Sequence, residues 1–225
     1  MRGEIVGHDN LRYLAVALLV LLALVAVAEQ TAAAWGRGMM QGGFLLVLSV
    51  AMWTVKERRG LFRIGLGILG ALILTTMAGY WLSHAGLRFM QLGLLLGLFG
   101  GIAWLAFKQV LFTAGPIDAN RLFGAISIYL LLGVIWAIVY VGILEVDPDA
   151  FNGAEAGPWL ESIPEFIYFS FVSLTTLGYG DISPATPIAR FVVYLEAIMG
   201  QLYLAIMVAG LVGIGISDRV VKRSE

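Results

Sequence analysis

Six apolar stretches, each close to the ~20 residues that cross a bilayer as a helix, leave this chain few choices of fold. They run about Leu11–Ala28, Met39–Val55, Ile64–Leu82, Leu87–Val110, Leu122–Leu144 and Ile188–Ile216, with charged residues between them. In lipid every backbone N–H and C=O needs an internal partner, so such spans are helices. The pattern predicts an all-α membrane protein with six transmembrane helices. A mean hydropathy of +0.91 agrees, as does a charged share of 13%, about half that of an ordinary soluble domain. The first span is not read as a signal peptide, because no small-residue cleavage site leads into a soluble domain.

Lys and Arg set the orientation, since they collect on the cytoplasmic side. With both termini cytoplasmic, the inner side holds Arg2, Arg12, Lys56, Arg58, Arg59, Arg63, Lys108, Arg121, Arg219, Lys222 and Arg223. The outer side holds only Arg37, Arg88 and Arg190. The chain has no cysteine, which excludes disulfides and thiolate metal sites. Its two histidines, His8 and His84, are too far apart to read as a metal pair.

Between the fifth and sixth spans, Ile163–Leu174 is apolar but too short to cross, and fits a re-entrant half-helix entering from outside. Pro164 suits its first turn. Ser162 is the expected N-cap, with Glu165 three residues on completing a capping box. Then comes "SLTTLGYGDISP", Ser173–Pro184, too glycine-rich for a helix and too polar to face lipid. Irregular backbone is tolerated at that depth only inside protein or beside water. Four copies of Thr175–Asp181 around an axis would present rings of carbonyl oxygens able to replace a cation's hydration shell. Successive carbonyls point one way only if backbone handedness alternates, which Gly178 and Gly180 permit. Thr176 adds a hydroxyl ring at the inner mouth, and Tyr179 wedges the strand away from the axis.

"TTLGYGD" resembles the signature sequence of tetrameric potassium channels, and "SIPEFIYFSFVSLTT" resembles the pore-helix segment of their six-helix, voltage-gated-type branch. The resemblance covers about residues 121–216. It implies a homotetramer with a pore helix at 163–175 and a selectivity filter at 175–181. Potassium would bind at the Thr176 hydroxyl and at the carbonyls of Thr176, Leu177, Gly178 and Tyr179. Tyr179 implies potassium selectivity, and Asp181 would sit behind the filter at the outer mouth beside Gly180. Tyr168, Phe169, Val172 and Glu196 would support the filter. The family usually has Val at the place of Leu177 and a Trp pair at Tyr168 and Phe169. Phe169 cannot donate the usual bracing hydrogen bond, whereas Tyr168 can, to Asp181. A filter more prone to inactivate or to leak sodium is expected.

From Leu122 to Ala189 there is no Lys or Arg, while Glu145, Asp147, Asp149, Glu155, Glu161, Glu165 and Asp181 fall there. Such a field at the outer mouth concentrates cations. In the last span Gly200 stands where the family often has a hinge, and close packing through a small residue is the other reading. Gln201, Leu204, Val208, Val212 and Ile216 share one rough helical face, which by resemblance lines the cavity and inner gate. Glu196 is ionisable inside a span, a functional flag, and is expected to bond Ser170 or Ser173.

The first four spans depart from the family. A voltage sensor needs several Arg or Lys in the fourth span, and none lies between Arg88 and Lys108. Little voltage dependence is expected. Gly93, Gly97 and Gly101 instead form a stripe that permits close helix contact, and Gly65, Gly67 and Gly70 thin the third span. Thr75, Thr76 and Trp81 read as packing and interface residues. Gly115-Pro116 breaks the chain before the fifth span, which Asp118 or Asn120 would cap. Nine residues follow Ile216, too few for a ligand-sensing cytoplasmic domain.

The expectation is thus a four-helix transmembrane domain at 1–115 and a pore domain at 116–225. The chain would conduct K⁺ passively, lie in a cell membrane (by its short termini, a prokaryotic one), and work with lipid, K⁺ and three copies of itself. It would need no organic cofactor and no nucleic acid. A non-conducting subunit with a channel-like fold, or a potassium-transporter subunit, is the alternative. No Ser-His pair, Gly-x-Ser-x-Gly or paired intramembrane carboxylate suggests an enzyme.

Overall fold

The computed structural model describes residues 10–28, 42–51, 53, 59–79, 85–112, 119–154, 157 and 159–224; at 10, 59, 61, 79, 111, 112, 119, 159, 208 and 211–224 it describes the backbone alone. The elements are α1 Asn10–Ala28, α2 Gly42–Ala51, α3 Arg59–Gly79, α4 Ala85–Phe112 and α5 Ala119–Val146, then β1 Phe151–Asn152, α6 Trp159–Leu174, β2 Ser183–Pro184 and α7 Pro187–Ser224. Among the described residues four helices are long and apolar enough to cross a membrane: Leu11–Ala28, Ala85–Val110, Asn120–Val146 and Pro187–Met207. Gly42–Ala51 and Phe62–Ala78 are shorter apolar helices. Val16, Leu19, Ile64, Leu74 and Ile206 are exposed on the single chain, as lipid-facing side chains of such helices are.

The centre of the fold is α5, which packs against α1, α4, α6 and α7. Its Leu131, Val134, Ala137, Ile138, Tyr140 and Val141 are buried. On α1 the buried residues Leu11, Leu14, Leu18, Leu21 and Val25 recur at helical spacing and form one stripe. Lipid supplies no hydrophobic drive between helices, so this contact rests on close packing and a few polar links. The links sit at one end: the Leu11 N–H donates to Asn120 Oδ1 (3.2 Å), and the Ser127 hydroxyl lies 3.3 Å from the Leu11 carbonyl. Asn120 therefore caps the start of α1. It lies inside α5 and does not cap its own helix, contrary to the expectation from sequence. Asp118, Gly115, Pro116 and Trp81 lie outside the described residues.

Two further expectations are corrected. The half-helix starts at Trp159, one turn early, so Ser162 and Pro164 are inside it. Pro164 has no N–H to give the Leu160 carbonyl, so one intrahelical bond near the helix start goes unmade. Ser162 is not the N-cap; it is buried, and its hydroxyl has no partner among the described residues. The glycine stripe of α4 makes no tight contact among the described residues either. A Cβ added at Gly93, Gly97 or Gly101 would meet nothing within 4 Å. Close approach occurs instead on α5: a Cβ at Gly124 would lie 2.7 Å from Leu11 Cδ1, and one at Gly133 would lie 2.5 Å from the Phe171 ring.

Charge is confined to the two ends of α4. Arg88 forms a 3.1 Å ion pair with Glu145 at the end of α5, and Lys108 sits 5.0 Å from the Trp104 ring centroid.

Candidate functional site

The site begins where α6 ends. A helix leaves its last four carbonyls without intrahelical partners, and here the next residues fill three of them. The Phe171 carbonyl accepts from the Thr175 N–H (3.1 Å) and the Thr175 hydroxyl (2.6 Å). The Val172 carbonyl accepts from the N–H groups of Leu177 (2.9 Å) and Gly178 (3.4 Å), and that of Ser173 from the Thr176 N–H (3.0 Å). The Leu174 carbonyl takes the Tyr129 hydroxyl at 3.4 Å. The strand after α6 is thereby tied back by its N–H groups.

Its handedness alternates. Thr176, Gly178 and Gly180 have φ of +60°, +60° and +81°. The two glycines match the expectation from sequence. Thr176 is an addition to it, because a threonine there is strained, by roughly 1–3 kcal/mol. Only a segment held by many bonds keeps such a residue, and the bonds just described supply them. Residues 175–181 are all exposed on the single chain, Leu177 and Tyr179 among them.

The outer end of the strand is braced from two sides. The Tyr168 hydroxyl donates to Asp181 Oδ2 at 2.6 Å, the bond expected from the sequence, and the Ile182 N–H donates to Asp181 Oδ1 at 3.0 Å. These donors, Tyr168 foremost, hold the Asp181 carboxyl below its ordinary acidity range. From the other side β1 pairs antiparallel with β2, Phe151 opposite Pro184 and Asn152 opposite Ser183, and the Ala185 N–H reaches the Ala150 carbonyl at 2.8 Å. Gly153 has φ +80°, and a Cβ there would collide with the Asp181 carbonyl. Neither β1 nor Gly153 stands out in the sequence.

Behind α6 lies a buried cluster. Phe169 packs among Tyr140, Phe151 and Phe166, with ring centroids 5.2, 5.7 and 6.3 Å away. Glu196 of α7 is fully buried; its Oε1 lies 2.5 Å from the Ser170 hydroxyl, and Oε2 accepts from the Tyr140 hydroxyl. Ser170 is the partner that the sequence suggests, and Tyr140 is one that it does not. Four residues beyond Glu196, a Cβ on Gly200 would run into the Leu174 carbonyl and come within 2.9 Å of Leu174 Cδ1. Gly200 is thus a packing position, with no room for a side chain against the end of α6. Val172 is buried at that end, while Gln201 and Leu204 are exposed on α7. The side chains of Val208, Val212 and Ile216 lie outside the described residues.

The sequence around this site is similar to known channel proteins. Residues 125–215 match the family model described as "Ion channel". Over 100 residues the chain is 30% identical to Two-pore potassium channel 5 of Arabidopsis thaliana, covering 44% of this chain and 23% of that protein. It is 36% identical over 88 residues to Potassium voltage-gated channel subfamily A member 10 of Mus musculus, covering 39% and 16%. To the inward rectifier potassium channel Kirbac3.1 of Paramagnetospirillum magnetotacticum it is 32% identical over 100 residues, covering 44% and 30%. The matched part spans less than a third of each of these relatives. No solved structure matches significantly. Residues 125–215 are thus similar to the ion-channel domains of potassium channels.

Proposed function

We propose that this protein is a potassium-selective channel that passes K⁺ passively down its electrochemical gradient. The observation that carries the reading is the strand Thr176–Gly180. Its handedness alternates at Thr176, Gly178 and Gly180, and its N–H groups at 176, 177 and 178 are spent on the carbonyls of α6. Alternation with the amides held on one side leaves the carbonyls of Thr176, Leu177, Gly178 and Tyr179 for the other. One such strand is a fraction of a coordination shell, so four chains around an axis are required, and the exposure of residues 175–181 in one chain suits that assembly. K⁺ is the transported substrate, replacing its water with these oxygens and the Thr176 hydroxyl.

The rest follows in the same reading. The chain crosses the membrane six times with both termini inside, residues 1–115 forming a four-helix domain and 116–225 the pore. Gln201, Leu204, Val208, Val212 and Ile216 face the inner cavity, where an apolar ring can gate by dewetting. Opening is not driven by voltage.

The test is ion flux through purified protein in liposomes of defined lipid. Potassium-driven flux with a bi-ionic reversal potential favouring K⁺ over Na⁺ is expected. Absence of flux from a folded tetramer would assign the chain to a non-conducting subunit and end this reading.

A further inference from the structure

The buried groups Tyr140, Glu196, Ser170 and Gly133 join α5, α6 and α7 in one line, and counting their protons says more than that they touch. The Tyr140 hydroxyl donates to Glu196 Oε2. The Ser170 hydroxyl lies 2.8 Å from the Gly133 carbonyl and 2.5 Å from Glu196 Oε1. Ser170 has one proton and two acceptor-type neighbours. A backbone carbonyl carries no proton, so the Ser170 proton fills the Gly133 contact. The Ser170–Glu196 contact then needs a second proton, and the carboxyl is the one group placed to bring it. Were Glu196 a carboxylate, two buried oxygens would face Ser170 with a single proton between them, an arrangement buried polar groups avoid. Among the described residues no cation pairs with Glu196 to favour its ionised form.

We propose that Glu196 is a neutral acid and a hydrogen-bond donor, closing a chain Tyr140 to Glu196 to Ser170 to the Gly133 carbonyl that clamps α6 between α5 and α7. Ser170 lies two and three residues before Val172 and Ser173, whose carbonyls hold the N–H groups of Leu177, Gly178 and Thr176. Glu196 is therefore a positioning residue for the strand, and this functional arm rests on the reading of that strand as the conducting one.

Infrared spectroscopy of the full-length protein in liposomes tests the proton directly. A carboxylic-acid C=O band is expected in the wild type, absent in Glu196→Gln, and shifted in Ser170→Ala and Tyr140→Phe. A Glu196→Gln spectrum unchanged in the carboxylic-acid region overturns the proposal. Glutamine copies a neutral acid, accepting through its oxygen and donating through its nitrogen. It should therefore rescue: K⁺ over Na⁺ preference close to wild type, against a fall of about tenfold in Glu196→Ala, as loss of a buried hydrogen-bonding partner entails. Glu196→Gln as damaging as Glu196→Ala also overturns it. Should the wild type show the acid band yet pass no K⁺, the conduction reading fails and the neutral acid stands. Selective flux without the band overturns the neutral acid and leaves conduction standing.

Discussion

Asp181 shows how one side chain carries information from the outer loop to the strand. It takes the Tyr168 hydroxyl and the Ile182 N–H together, and both favour its ionised form. Its acidity in the folded protein is therefore stronger than the ordinary value of 3.8. A carboxylate with a depressed folded value stabilises the fold above its unfolded value and loses that contribution as pH falls through the folded one. The brace is thus intact at neutral pH and released only below about pH 3.8. Tyr168→Phe should return Asp181 toward 3.8, seen by NMR titration of the labelled carboxyl, and should raise sodium permeability in a bi-ionic recording. Gly153 is the second residue of this kind. Gly153→Ala combines a positive φ with a collision at the Asp181 carbonyl. It should cost more than the ~1 kcal/mol of an ordinary glycine replacement, measured as a lower thermal midpoint.

At the scale of elements, α6 is a short helix held between α5 and α7. Its end is capped by the strand that follows it, its back by the aromatic cluster, and its two sides by α5 and α7. Glycines make the last contacts possible at Gly133 and Gly200. Gly200→Ala places a methyl into Leu174 and should destabilise by roughly 1–3 kcal/mol, the usual size of overpacking, read by thermal unfolding in lipid. A different outcome belongs to a hinge: a methyl that left stability alone but slowed opening. The Arg88–Glu145 pair joins α4 to α5 with a buried carboxylate and a half-exposed guanidinium. Arg88→Gln should cost about 1 kcal/mol, since solvent screens the exposed partner, and a double-mutant cycle with Glu145→Gln would isolate the pair's own share.

For the whole molecule, the placing of charge decides how it can respond to a field. Moving one elementary charge across 100 mV is worth about 2.3 kcal/mol. Between Arg88 and Lys108, α4 offers none, and both of these end residues are engaged, one with Glu145 and one with Trp104. Further, α1 and α4 pack along α5 rather than standing apart from it. Conductance should therefore vary little with voltage in a single-channel recording at fixed pH and tension. A steep curve with several gating charges would refute that.

Much of this protein is legible from residue order, because lipid is an exacting environment. The long apolar helices α1, α4, α5 and α7, the half-helix, the alternating glycines and the Tyr168–Asp181 bond follow from requirements that neighbouring residues must meet locally. Ser170 as the partner of Glu196 comes from spacing along elements already placed. What the order of residues leaves out is long-range pairing. Tyr140 is 56 residues from Glu196, Leu11 is 109 from Asn120, and Phe151 reaches Pro184 across α6, so no local pattern announces any of them. The strained Thr176 is also left out, for a different reason. Its own preference opposes a left-handed backbone, and only the carbonyls at the end of α6, brought there by folding, hold it in place.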